Sequence, residues 1–215
     1  MYKMKKRGKT VIKKNILILI SIICLILFLI ILIDILTTKQ ITKLDYLIYK
    51  AILNIQTPII TPFFIVITFF GNTIPLIILT IIFSAFLLIK RKYFHLTFLI
   101  LSMCLGTISE LSIKALIHRL RPENSLIEIT RFSFPSGHAT MTTIFLTIFL
   151  YSTIKNIKSK KVKTALVITT ILIIFLISLS RIYLGVHWFS DVLGGIILGI
   201  LINSFILFLI KRYKK

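Results

Sequence analysis

Acidic residues are scarce: the chain has 215 residues, and only 6 are Asp or Glu against 27 Lys or Arg. The sequence offers no carboxylate-rich metal cage, and no metal or other cofactor is expected. Cysteine is nearly missing as well. Cys24 and Cys104 each lie inside an apolar run, a context that offers neither a disulfide framework nor a thiolate metal site. They read as small buried hydrophobes. There is no internal repeat and no low-complexity linker, so the sequence reads as a single domain, 1–215.

What the chain has instead is apolar length. It is 57% hydrophobic with a mean hydropathy of +1.01, beyond an ordinary soluble domain, and the bilayer is the expected solvent. A crossing helix takes about 20 apolar residues. Six runs qualify as spans: 15–36, 72–89, 93–116, 138–154, 164–182 and 189–210. The first follows a basic stretch, 1–14, as a secretory signal would. It is too long for a signal core and no small-residue cleavage site follows, so it reads as a retained helix. The apolar stretch 58–89 is too long for one perpendicular helix. Gly71, Asn72 and Pro75 interrupt it, which predicts a short interfacial or re-entrant helix over 59–70 before the second span. In 41–56, Lys43, Asp45, Lys50 and Asn54 alternate with apolar residues, the mixture of a helix lying in the membrane interface. The expected fold is an all-α integral-membrane bundle of six transmembrane helices, with an interfacial helical segment between the first and second spans.

The net charge of +21 would suggest nucleic acid in a soluble protein. The positions of the charges give another reason. With the N-terminus in the cytoplasm, 19 of the 27 basic residues fall on cytoplasmic segments and 8 outside. This bias predicts a multi-pass protein of the cell membrane with both termini cytoplasmic. Anchoring at an anionic inner leaflet accounts for most of the charge, so the expected partner is the bilayer and not nucleic acid.

Three stretches on the outer side of this layout carry more than topology needs. Lys114 and Arg121 flank the outer end of the third span in "KALIHRLRP", 114–122. "RFSFPSGHATM", 131–141, opens the fourth. "SRIYLGVHWFSD", 180–191, joins the fifth to the sixth. Lys114, Arg121 and Arg181 offer one point charge and two forked donors for a phosphate dianion. Ser136 and Gly137 sit where a helix begins, and a helix N-terminus with free N–H groups binds anions. His138 and His187 supply a proton donor and a nucleophile. Asp191, four residues after His187, shares its helical face and can fix the imidazole tautomer.

The order of these pieces, Lys114 to Arg121-Pro122, then Pro135-Ser136-Gly137-His138, then Ser180-Arg181 to His187 to Asp191, resembles the type 2 phosphatidic acid phosphatase family, the lipid phosphate phosphatases. The motifs occupy 114–191. The resemblance implies a metal-independent phosphatase in which His187 attacks phosphorus and forms a phosphohistidine. Asp191 orients His187, and His138 acts as general acid and then as base for water. Lys114, Arg121, Ser136, Gly137 and Arg181 hold the phosphoryl oxygens.

The remaining polar residues read more plainly. Glu110, one turn before Lys114, either pairs with that lysine or meets substrate directly. His95 is interfacial and His118 a surface residue. Trp188 is an interface anchor, and Gly195 and Gly199 form a small-residue packing pair. A noncatalytic phospholipid-binding or transport protein would need the cations but not two histidines and a carboxylate. A phosphotransferase remains open beside a hydrolase. Among the lipid phosphates that the resemblance implies, the outward site and the short loops favour undecaprenyl diphosphate, converted to the monophosphate at the outer face. Phosphatidylglycerol phosphate and phosphatidic acid are the alternatives.

Overall fold

The computed structural model describes residues 2–37, 40–129 and 132–213. Lys39, Arg131, Lys214 and Lys215, which enter the charge count by side, lie outside the described residues. The described chain is all-helical: α1 (Tyr2–Leu36), α2 (Gln40–Ile55), α3 (Thr61–Phe69), α4 (Thr73–Ile89), α5 (Tyr93–Ile117), α6 (Gly137–Thr153), α7 (Lys160–Tyr183) and α8 (Phe189–Tyr213), with a 3-10 turn at Ile154–Asn156. The helix ends fall close to the boundaries expected from hydropathy and turn residues except at the start of α1, where the helix begins at Tyr2 and takes in the basic stretch expected to precede the span.

Among the described residues four segments are each long and apolar enough to cross a membrane: Asn15–Leu36, Tyr93–Ile117, Lys160–Tyr183 and Phe189–Tyr213. The α3–α4 pair makes a fifth if its two arms, bent by 40°, count as one span. This differs from the expected six. α6 has 17 residues, about 26 Å at the helical rise, and α4 alone has the same length. The protein is a multi-pass membrane protein, and its apolar surface fits that solvent. Leu19, Ile22, Ile26 and Ile30 of α1 and Ile77, Ile78, Ile81 and Ile82 of α4 are all exposed. The interior is built from other side chains, a hydrophobic cluster that includes Phe28, Leu99, Ile144 and Ile202, with buried polar residues beside it.

α8 is the central helix, packed against α1 and α6. Gly195 and Gly199 are what let α6 come so near. A Cβ on Gly195 would stand 2.7 Å from the Ser136 carbonyl oxygen, and one on Gly199 would stand 2.9 Å from Cβ of Thr143. This is the small-residue contact expected of the pair. Across the other face, Ser21 of α1 donates to Oγ of Ser204 at 2.9 Å. Phe28 packs on Phe134 with ring centroids 5.5 Å apart, and Cys24 is buried in the same cluster. Cys104 departs from its expected burial and is exposed.

The apolar stretch 58–89 breaks where Gly71 and Asn72 interrupt it. α3 ends at Phe69 and α4 begins at Thr73. α3 is held to the end of α7: Phe64 stacks on Tyr183 at 4.1 Å, and the Tyr183 hydroxyl lies 3.2 Å from Thr61 Oγ1. α2 is not merely a surface helix. Its Asp45 is turned inward and only 1% exposed.

Candidate active site

The three motif stretches converge at one end of the bundle. The loop after α5 turns through His118, which takes the left-handed conformation (φ 51°) that closes the helix. The loop is then pinned by its backbone: Ser133 N–H donates to the Arg119 carbonyl and Ser136 N–H to the Asp191 carbonyl, both at 2.9 Å. Phe134, fully buried, lies against Gly194 of α8. These contacts place the start of α6 beside the start of α8 and fix the distance between His138 and His187.

His187 is buried, with its two ring nitrogens facing different groups. Nε2 lies 3.1 Å from the Arg121 guanidinium, and Nδ1 lies 3.4 Å from Oδ2 of Asp191. Arginine only donates, so Nε2 must accept and Nδ1 carries the proton. This is the tautomer in which an imidazole presents a lone pair towards a cationic anion site. Burial, and then the neighbouring cations Arg121, Arg181 and Lys114, hold its pKa well below the ordinary histidine value. Arg121 also donates to the carbonyls of Val186 and Phe132, so its position is set from three directions.

Arg181 is 1% exposed and donates to Thr68 Oγ1 at 2.7 Å. Its Nε and the hydroxyl of Ser136 have no partner among the described residues. Buried donors of this kind are normally satisfied, and a bound phosphate would satisfy them. Lys114 pairs with Glu110 at 2.5 Å, the structural alternative among the two readings of Glu110. Gly137 sits directly over this pair, since a Cβ there would stand 2.7 Å from Glu110 Oε1. His138 Nε2 is 2.7 Å from Oδ1 of Asn72.

Lys114, Arg121, Gly137, His138, Arg181 and His187 line one end of a cavity of about 680 Å³. The cavity continues as an apolar groove between α4 and α5, along Leu76, Ile77 and Ile81 on one wall and Met103, Ile108 and Leu111 on the other. The cavity thus joins a cationic end, where an anion and a neutral imidazole nitrogen would meet, to a hydrocarbon-like slot. Ser136 and Asp191 adjoin this lining, Ser136 as the residue before Gly137 and Asp191 against the ring of His187. All eight residues singled out for the site are therefore brought together.

The same family emerges from comparison with known proteins. The model of the PAP2 superfamily matches residues 95–214, over half of the chain. The chain belongs to the PAP2 superfamily. It is 31% identical over 196 residues to phosphatidylglycerophosphatase B of Bacillus subtilis (strain 168), covering 90% of this chain and 94% of that protein. Its fold is similar to the crystal structure of a transmembrane PAP2-type phosphatidylglycerolphosphate phosphatase from Bacillus subtilis, with a TM-score of 0.79 at 30% identity over 90% of this chain and 94% of that one. LpxE of Aquifex aeolicus is similar over 76% of this chain and 94% of its own, with a TM-score of 0.62 at 30% identity. As a PAP2 phosphatase the protein is a hydrolase of the metal-independent class acting on lipid phosphates.

Several residues that shape this PAP2 site are not among those the sequence assigns to it. Arg119 donates to Asp45 Oδ2 at 2.6 Å, to Asp191 Oδ1 at 2.5 Å and to Ser190 Oγ at 2.7 Å. Asp45 in turn accepts from the N–H and hydroxyl of Ser190. Asp45 lies among Lys43, Lys50 and Asn54 in a helix of mixed polarity, so its inward turn left no clear signal in the sequence. Thr68 and Asn72 reach the site from the α3–α4 break. Trp188 is more than an interface anchor, because its Nε1–H donates to the Leu120 carbonyl at 2.9 Å. His118 stays out of the cavity lining and meets Phe132 edge-on at 4.4 Å.

Proposed function

We propose that this protein removes the terminal phosphate of phosphatidylglycerol phosphate through a phosphohistidine on His187. The observation that carries the reading is the continuity of the cavity: one end is lined by three cations and two histidines, the rest by the apolar walls of α4 and α5. A phosphate can enter the first part while its acyl chains remain in the second. On the sequence, the family resemblance together with the outward site and short loops favours undecaprenyl diphosphate. What moves the preference to phosphatidylglycerol phosphate is the Bacillus subtilis relative, alike along nearly its whole length, whose name gives that activity.

Nε2 of His187 attacks phosphorus as the bond from phosphorus to the headgroup oxygen breaks. That oxygen leaves with the electron pair and takes a proton from His138. Nδ1–H, facing Asp191, lets the carboxylate stabilise the positive imidazole that results. Water then attacks the phosphohistidine and gives its proton to His138. The P–N bond breaks and inorganic phosphate leaves. Lys114, Arg121, Arg181, the Ser136 hydroxyl and the N–H groups at Gly137 stabilise the charge on the phosphoryl oxygens. No residue set in this scheme calls for a metal ion. The chain acts as a single domain. It crosses the membrane six times, α6 included, with α2 in the interface, both termini in the cytoplasm and the site at the outer face. The bias of basic residues supports that orientation.

Phosphate release in detergent, measured on phosphatidylglycerol phosphate, undecaprenyl diphosphate, phosphatidic acid and a soluble monoester, tests the proposal. Fastest turnover is expected on phosphatidylglycerol phosphate. Faster turnover of the polyprenyl diphosphate would restore the alternative substrate. Cleavage of the soluble ester alone would end the lipid reading.

A further inference from the structure

We propose that Asn72, in the break between α3 and α4, is a positioning residue for the general acid His138. This rests on the reading of His138 given above.

Asn72 occupies the N-cap position of α4, where an asparagine side chain ordinarily accepts a hydrogen bond from the first turn of its own helix. It makes no such bond. Its Oδ1 instead lies 2.7 Å from Nε2 of His138, 66 residues away. The backbone holds it there: Asn72 N–H donates to the Phe69 carbonyl, and its own carbonyl accepts from Leu76 N–H, both at 3.1 Å. Gly71 closes on the same ring edge. A Cβ at that position would stand 2.9 Å from Cδ2 of His138 and 2.6 Å from Ile177. The break in the apolar stretch therefore does more than shorten a helix. It lays Gly71 and Asn72 along the Cδ2–Nε2 edge of the imidazole.

The amide oxygen can only accept, so the proton on Nε2 stays in place. Nδ1 is left as the nitrogen that gains and loses a proton. In the first step the headgroup oxygen departs with the electron pair of its bond to phosphorus and takes the Nδ1 proton. In the second step Nδ1 recovers a proton from water. Asn72 thus selects the working nitrogen and the ring angle without touching substrate. Thr68, one turn earlier, holds Arg181 at 2.7 Å, so the same break also orients a phosphate ligand.

The test uses the full chain in detergent with phosphomonoesters of graded leaving group, from an alkyl lipid phosphate to a nitrophenyl ester. Asn72→Ala is expected to lower kcat by about 10- to 100-fold on the alkyl ester, with KM changed by less than about threefold. On the nitrophenyl ester, whose leaving oxygen needs little protonation, the loss should be less than about threefold. In a His138→Ala background Asn72→Ala should add nothing, and Asn72→Asp, which keeps an acceptor in place, should recover most of the alkyl-ester activity. Asn72→Ser preserves a good helix start but cannot reach the ring. It gives the same reading if the alanine variant does not fold. Equal loss on both esters, or full loss added on top of His138→Ala, would overturn the positioning role. Failure of the phosphatase reading is separate: the unaltered protein would release no phosphate, or His138→Ala would leave the alkyl ester untouched.

Discussion

The guanidinium of Arg119 stands 2.5 Å from the carboxylate of Asp191, closer than the imidazole of His187, whose Nδ1 is 3.4 Å from the same group. Asp191 is fully buried, and Trp188 N–H also donates to it at 2.9 Å. The aspartate is thus fixed by Arg119 and the backbone before it can orient the histidine. Removing Arg119 would leave Asp191 and Asp45 buried without their cation. Arg119→Ala is expected to destabilise the protein by about 3–5 kcal/mol. It should also lower kcat by about 100-fold through misplacement of His187. Arg119→Lys keeps a charge but cannot fork between the two acids, so it should fall between. Thermal unfolding and turnover in detergent check both statements; an alanine variant with unchanged kcat would remove Arg119 from the orientation of His187.

The two histidines should fail differently. His187→Ala is expected to abolish turnover and any trapped phosphoenzyme, because it removes the imidazole whose accepting Nε2 faces Arg121. His138→Ala should still form phosphoenzyme from an ester with a good leaving group and form it poorly from an alkyl ester. Acid-quenched labelling with ³²P substrate separates the two. Phosphoenzyme in the His187 variant would move the nucleophile elsewhere.

How much of this was legible in the sequence depends on the kind of contact. The motif residues are legible because their chemistry is unusual at helix ends: a histidine beside Ser-Gly, or an arginine in an apolar run. The break at Gly71 and Asn72 is legible for the same local reason. The direction in which the break folds is not, because it depends on Phe64 stacking on Tyr183 across 119 positions of sequence. Arg119 lies between Lys114 and Arg121 in a segment that is not helical throughout. No periodicity tells which of the three cations turns to phosphate and which to a carboxylate. The span count is less legible from runs of apolar letters, since α6 carries its apolar residues over only 17 positions and length alone does not mark it as a span.

The pH dependence follows from His187. Burial and the nearby cations lower its pKa from the ordinary value, so the neutral, attacking form persists as pH falls through the usual histidine range. The acid limb of kcat/KM should therefore lie below about 6.5. Replacing Arg121 by Gln removes one cation that disfavours the protonated ring, and the limb should move upward while burial keeps it below the ordinary value. A pH series on both proteins measures this; an upward-shifted limb in the unaltered enzyme would contradict the assignment.

Gly137→Ala probes the floor of the phosphate end. The new methyl would stand 2.7 Å from Glu110 Oε1 and 3.0 Å from its carboxyl carbon. Glu110 is tied to Lys114, so either that ion pair opens or the start of α6 moves. Both displace donors from the phosphoryl oxygens, and about 100-fold loss of kcat/KM is expected. Asp191 and Arg119 are not touched, so thermal stability should change much less than activity. Comparable activity in the alanine variant would show that this floor yields easily.

Cys104 offers a test of the groove itself. It is exposed and lines the apolar wall on α5, one turn of helix from Ile108 and about two turns from Leu111, while Cys24, the other cysteine, sits on α1 and is buried in the core. A bulky apolar maleimide should therefore modify a single site. If acyl chains lie between α4 and α5 during turnover, the adduct occupies their place and phosphatidylglycerol phosphate should turn over at least about tenfold more slowly. A soluble nitrophenyl ester needs only the cationic end, and its cleavage should change by less than about twofold. Excess lipid substrate should in turn slow the labelling, because both compete for the same volume. Cys104→Ser removes the reaction and serves as the control. Equal inhibition of both esters would mean that the adduct disturbs the catalytic end. No inhibition of either would place the chains outside the α4–α5 groove, while leaving the phosphate chemistry at His187 and His138 intact.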